Sequence, residues 1–325
     1  MAYTVRRAGP ADRPHVEALL AEIFPSGDVA ARYEWMHVRN PHGTSLVWLA
    51  VDDSGEIAAC TSYFPRQIVM RGRRALAALG GDCWVRPKFR RRGIAGALHA
   101  QGRKEMPAEG IEVMFGTPTP ANLTPLQQTG AKNIGFAVRY ARPLVLPRVP
   151  LVGALLSLGW DGGRLEPAAR PDPRIDEVWA EVAGEISVGT VRDAAFYDWR
   201  FAGAPSGAQH PFVIVERGRA FAACALEDSG AELRVIDLIA PRARFGAALG
   251  AIVRHASANH PECRTVSVRF VEEHGRALGL WRWGFFPRGQ TVFNILLPEG
   301  EPDSELFYDP ASYYLSFADT DVDRG

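Results

Sequence analysis

Apolar and polar positions divide the chain into short strands and amphipathic helices. Tyr3–Arg7 has the length and pattern of a short strand. Asp12 then stands where a helix N-cap belongs, with Pro14 in the first turn. Val16, Leu19, Leu20 and Ile23 recur three and four apart, the spacing of one buried stripe. A second helix is expected over Arg32–Asn40, stopped by Pro41. Two hairpins follow. Leu46–Val51 and Glu56–Phe64 turn at Asp52–Gly55; Gln67–Met70 and Arg74–Val85 turn at Arg71–Arg73. The stretch Leu79–Val85 ends this strand run. A loop over Arg86–Arg91 leads into a helix expected from Arg92, with Ile94, Ala97 and Leu98 on one face. Ile111–Phe115 is the next strand, Thr117–Asn122 a loop, then a short helix to Gly130 and a strand over Phe136–Pro143. This pattern alone gives a mixed α/β fold.

The pattern then returns. Trp35 and Trp199 sit in similar contexts, RYEWMHVRNPHG and FYDWRFAGAPSG, and Cys60 and Cys224 repeat the same separation, each in Ala-Ala-Cys. Pro87 with Pro241, and Gly130 with Gly284, share a second separation ten residues shorter. Two constant offsets with one step describe two copies of one domain. We place them at 1–145 and 173–325, joined by a Pro- and Gly-rich linker over 146–172. The run LVGALLSLGW in that linker is too short to span a bilayer.

Charge and cysteine usage narrow the chemistry. Thirty-seven acidic residues balance thirty-seven Lys plus Arg, so no global field draws nucleic acid. Four scattered cysteines without a CxxC give neither a disulfide framework nor a cysteine zinc site, and no metal is expected. The N-terminal segment has no apolar signal core, so a cytoplasmic protein is expected, with no transmembrane segment. A homodimer is left open.

The junction Arg90-Arg91-Arg92-Gly93-Ile94-Ala95-Gly96 carries the chemistry. Helix-start amides lack internal partners and concentrate partial positive charge. Gly93, Ala95 and Gly96 keep side chains out of the way, and three arginines add full charges, a cradle for a diphosphate. No Gly-Lys-Ser/Thr follows, so this is not a Walker loop.

In Arg90, Gly93 and Ala95, after the strand end Val85-Arg86-Pro87, the loop resembles the acyl-CoA pyrophosphate signature of the GNAT N-acetyltransferases. The resemblance implies a tandem duplicated GNAT fold, acetyl-CoA or another acyl-CoA as co-substrate, and transfer to a primary amine. It implies donor contacts from Cys83, Trp84, Val85, Arg90, Arg91, Arg92, Gly93, Ile94, Ala95, Gly96 and Asn122. The acyl chain would thread between Leu79–Val85 and Ile111–Phe115, and the amide of Trp84 or Val85 would polarise the thioester carbonyl. Asn122 would meet the pantetheine arm; its other reading is a helix cap. Asp82 is the candidate base, with a structural hydrogen-bonding role beside it. Cys83 has no sequence-adjacent His and reads as packing rather than nucleophile. The family's usual tyrosine acid has no counterpart in LTPLQQTG, and His99 falls away from the acceptor. The tail offers Asp319, Asp321 or Asp323 to a cationic amine. The second copy has Arg242-Ala243-Arg244-Phe245-Gly246, one residue shorter, and Phe245 would crowd a pyrophosphate. The tandem arrangement resembles acyltransferases of amino sugars for surface polysaccharides, which implies a nucleotide-linked amino sugar as acceptor. The rivals are a mycothiol-synthase- or aminoglycoside-type acetyltransferase and a non-catalytic CoA- or partner-binding module.

Overall fold

The computed structural model describes residues 3–144, 163–300 and 305–321. The first half builds β1 (Tyr3–Arg7), α1 (Arg13–Ile23), α2 (Val29–Tyr33), β2 (Leu46–Asp52), β3 (Ile57–Met70), β4 (Arg73–Val85), α3 (Ile94–Glu105), β5 (Ile111–Gly116), α4 (Pro120–Gln128) and β6 (Lys132–Pro143). The second half adds β7 (Arg164–Pro167), β8 (Val188–Thr190), β9 (Gln209–Glu216), β10 (Arg219–Asp228), β11 (Glu232–Ile239), β12 (Thr265–Val271), β13 (Phe286–Leu296) and β14 (Tyr313–Tyr314). Its longer helices run over Pro173–Val182 and Phe245–Asn259. The linker run LVGALLSLGW lies outside the described residues.

Local chemistry moves several expected boundaries. Val16, Leu19 and Leu20 of α1 are buried as the spacing requires. Asp12 does not cap α1 with its side chain; it accepts the Gly9 N–H at 2.8 Å and pairs with Arg6. The second helix is shorter than expected and widens into a π-helical turn over Glu34–Val38, where the Arg39 N–H reaches back to the Glu34 carbonyl. The second copy repeats this turn from the Gly203 N–H to the Asp198 carbonyl. No break separates Phe64 from Gln67, so β3 is one strand with Pro65 inside it. β2 begins opposite Tyr63 and β8 pairs with this edge only at Ile68–Met70, so Pro65 has no strand partner on that side, the setting in which a strand accommodates proline.

The strands form one sheet in the order β1-β2-β3-β4-β5-β13-β6-β12-β11-β10-β9-β7, with β8 joined to β3 and β14 to β8 off this path. The order is not that of two sheets side by side. β13, from the second half, lies between β5 and β6, while β6, from the first half, lies between β13 and β12. Each half therefore lends a late strand to the other. The two repeat tryptophans seal this exchange: the Trp35 indole N–H donates to the Trp199 carbonyl at 2.7 Å, and the Trp199 indole N–H to the Trp35 carbonyl at 2.8 Å. Such reciprocal bonds between equivalent residues are what a pseudo-two-fold axis produces.

Candidate active site

The site begins where β4 leaves β5. The two run parallel from Leu76 beside Ile111 to Leu79 beside Phe115, and pairing ends there. β4 continues to Val85 with that edge open, while β5 turns to β13. A bulge interrupts the β3 ladder between Cys60 and Ser62, and opposite it Asp82 takes a φ of 47°, left-handed backbone that a non-glycine residue rarely adopts. The bulge aims the Asp82 amide away from the ladder, and the amide donates to Asp321 Oδ2 at 3.0 Å. Gly81 makes this approach feasible, because a Cβ there would collide with Asp321.

The Asp82 side chain points elsewhere. It is fully buried, with Arg32 Nη2 at 2.6 Å and His37 Nε2 at 3.1 Å. Burial alone would raise its pKa, but Arg32 and His37 outweigh burial and hold the carboxyl below its usual value. A carboxylate so paired is a poor proton acceptor. His37 is fixed in turn by Ser45 Oγ at 2.7 Å and stacks on Tyr33. Sequence reading missed Arg32 and His37, yet a signal was present. Aligned on the two tryptophans, the second copy has Phe196 for Arg32 and Phe201 for His37.

The tail carboxylates part company. Asp319 is buried against Arg192, which also holds Asp237 at 3.0 Å, so it is a structural ion pair rather than a ligand for an amine. Asp323 lies outside the described residues. Asp321 reaches the open edge of β4, and burial, then the Asp82 charge, raise its pKa. Cys83 lies beside it with a thiol that burial pushes up to about 12, unsuited to act as a thiolate.

Past Val85 the chain makes a turn over Pro87–Phe89, passes through left-handed Arg91 (φ 62°) and Gly93 (φ 75°), and enters α3 at Ile94. The helix thus starts two residues later than expected, with Gly93 as its N-cap. Its first backbone bond runs from the Ala97 N–H to the Gly93 carbonyl, so the amides before Ala97 have no helical acceptor. A Cβ on Gly96 would meet nothing within 4 Å: the helix start faces open space. Arg90 donates to the Val85 carbonyl at 3.0 Å with its guanidinium over Trp84, and Arg92 donates to the Lys88 carbonyl at 3.1 Å. Arg91 is exposed, whereas the Ile94 side chain is core, which leaves Ile94 only its amide to offer. The Trp84 indole is engaged by Glu22 at 2.8 Å.

Asn122 does not cap α4, whose N-cap is Thr119. Its Oδ1 lies 3.0 Å from His99 Nε2. Burial lowers the His99 pKa to about 4, so the ring is neutral at pH 7. With Asn122 Oδ1 as acceptor, Nε2 then carries the proton, and the Asn122 amide nitrogen takes no part in this bond.

In the second copy the equivalent helix start is closed. The ring of Trp283 lies against Gly246, where any Cβ would run into it. The Arg242 amide is taken by Glu185 at 2.7 Å, and Arg244 pairs with Glu216. Phe245, expected to be the obstruction, is instead packed in the core.

Residues 4–126 match the family model of the acetyltransferase (GNAT) domain. The chain carries a GNAT acetyltransferase domain in its first half. No curated protein matches the sequence. A GCN5-related N-acetyltransferase from Anabaena variabilis has a similar fold, with a TM-score of 0.70 at 14% identity over 91% of this chain and 73% of that one. A probable N-acyltransferase from Enterococcus faecalis gives 0.67 at 14% over 92% and 73%. A tandem GNAT protein from the clavulanic acid biosynthesis pathway gives 0.58 at 18% over 93% and 100%. The fold is a tandem GNAT fold of the acyltransferase type, and the family acts with acyl-CoA. No helix among the described residues is long and apolar enough to cross a membrane.

Proposed function

We propose that the chain transfers an acyl group from acyl-CoA to the primary amine of a small molecule, with the donor held in the first half alone. The carrying observation is the contrast between the two helix starts: open at Gly96, closed by Trp283 at Gly246. Under this reading the diphosphate rests on the amides of Gly93–Gly96 beside Arg90, Arg91 and Arg92. The pantetheine follows the open edge of β4 past Cys83, Trp84 and Val85, with Asn122 donating to it. The thioester enters where β4 and β5 part, and the amide of Trp84 or Val85 polarises its carbonyl. The amine must arrive neutral. Asp321, with its raised pKa, takes the proton, and Asp82 positions the bulge through Arg32 and His37 rather than taking the proton itself. The amine nitrogen adds to the carbonyl carbon, the carbon–sulfur bond breaks, and CoA leaves as the thiolate with the electron pair of that bond.

The acceptor class is drawn more narrowly by resemblance than by geometry. Trp35 and Trp199, which mark the tandem arrangement behind the amino-sugar resemblance, bond to each other at the pseudo-two-fold. A nucleotide-linked amino sugar therefore belongs at the head of a panel that also holds aminoglycosides and simple amines.

The test pairs calorimetric titration with acetyl-CoA and thiol release across that panel. Gly96→Glu should raise the melting temperature slightly, since it removes a helix glycine and puts an acid in the first turn. The same change should weaken acetyl-CoA binding by about hundredfold or more, through bulk and like charge against the diphosphate. Unchanged affinity in Gly96→Glu would move the donor site elsewhere. Tight binding with no thiol release for any amine would leave a CoA-binding module.

A further inference from the structure

Three ligand-bearing side chains meet in the second half, away from the cleft described above. Asp228 ends β10, His260 follows the Phe245–Asn259 helix, and Cys263 stands three residues beyond it. Their donor atoms all lie within 4.8 Å of one another. His260 Nδ1 is 2.5 Å from Asp228 Oδ2, and Cys263 Sγ is 3.7 Å from Asp228 Oδ1.

The backbone preorganises the set. The His260 N–H closes on the Ala256 carbonyl at 2.9 Å, and the Cys263 N–H on the His260 carbonyl at 3.1 Å, a turn that presents both side chains together. Asp228 is fixed by the Gly230 N–H at 2.7 Å on Oδ1. The thiol is buried while Asp228 faces solvent, so an ion would enter from one side. The Cys263 thiol also donates to the Gly230 carbonyl at 3.2 Å, which holds its sulfur beside the Asp228 carboxylate. The matching turn of the first copy, Arg71-Gly72-Arg73, offers no such ligands. In the strand order β10 and β11 are separated from β4 and β5 by β12, β6 and β13, so the cluster is no part of the acyl-transfer cleft.

We propose that Asp228, His260 and Cys263 bind one zinc ion, through a carboxylate oxygen, imidazole Nδ1 and the thiolate, with water in the fourth position. One soft sulfur, one imidazole and one oxygen form a donor set suited to zinc and not to calcium or magnesium. Binding opens the His260–Asp228 contact and releases the Cys263 thiol proton to solvent. The ion then clamps the β10–β11 turn to the end of the Phe245–Asn259 helix.

Cobalt(II) reports on this directly. The full chain, treated with chelator and titrated with cobalt, should show a thiolate-to-cobalt charge-transfer band and tetrahedral visible bands, both abolished by one equivalent of zinc. Zinc should also raise the melting temperature in a concentration-dependent way. Cys263→Ser should lose the charge-transfer band. Asp228→Asn, which keeps the shape of an exposed turn, should weaken cobalt binding by roughly tenfold or more while melting like wild type in chelator. No band in wild type would overturn the proposal. So would a band that persists in Cys263→Ser, which would put the metal on another thiol. If Cys263→Ser fails to fold, full-strength cobalt binding by Asp228→Asn decides against it.

Discussion

Asp82 and Asp321 stand together at the bulge, and their surroundings drive their acidities in opposite directions. Asp82 is buried with a guanidinium and an imidazole, and its carboxyl is held low; Asp321 is raised by burial and by the Asp82 charge. Pairs driven apart in this way divide the work of positioning and proton transfer. Of the two, Asp321 is the one whose surroundings favour taking up a proton. A base of this kind acts when ionised, so kcat should fall as pH drops through the Asp321 pKa. Asp321→Asn should lower kcat by about hundredfold or more, leave the KM for acyl-CoA nearly unchanged, and remove that acid limb from the pH–rate profile. A variant that keeps both rate and limb would return the base role to another group. Asp82→Asn should behave differently. It leaves Arg32 buried with a neutral partner, and the loss should appear in the melting temperature as well as in the rate.

At the scale of elements, the helix start proposed to hold the donor was legible because its signals are local. Arg90, Gly93 and Gly96 lie in one short segment, and the helix start they predict forms within two residues of its expected place. The acceptor side was not legible in the same way. Asp82, Arg32, His37 and Asp321 come from a strand, a short helix, a π-helical turn and the tail, and no spacing rule joins them. The repeat could have supplied two of them, since the second copy replaces Arg32 and His37 with phenylalanines at aligned positions. Trp35 and Trp199 show the other use of a repeat. They are retained in both copies because each serves the other. Trp35→Phe should strand the Trp199 carbonyl, and Trp199→Phe the Trp35 carbonyl, each costing about 1–3 kcal/mol in chemical denaturation. The two losses should be similar, and the double variant should lose less than their sum, because both bonds cross one contact. Strictly additive losses would show that the two bonds are independent.

At the scale of the whole molecule, the duplication that is plain in sequence does not give two self-contained sheets. β6 belongs to the first copy by position, yet its ladders run to β12 and β13, both from the second. β5 in turn is covered by β13 along Met114–Gly116. A fragment ending at residue 145 would hold β6 with none of its partners and would expose the edge of β5 beside the cleft, an open template for aggregation. We therefore expect residues 1–145 alone to aggregate or to expose β6 to rapid amide exchange, although they contain every proposed donor contact. Supplying residues 146–325 in trans should restore a single cooperative melt and acetyl-CoA binding, because β13 and β6 can then fill each other's gaps. A monodisperse monomer of residues 1–145 that binds acetyl-CoA as tightly as the full chain would make the two halves autonomous. The strand exchange would then be an accessory to the fold. If the fragment fails and the pair succeeds, the second half is retained as the partner that completes the sheet around the donor cleft, even though its own helix start is closed by Trp283.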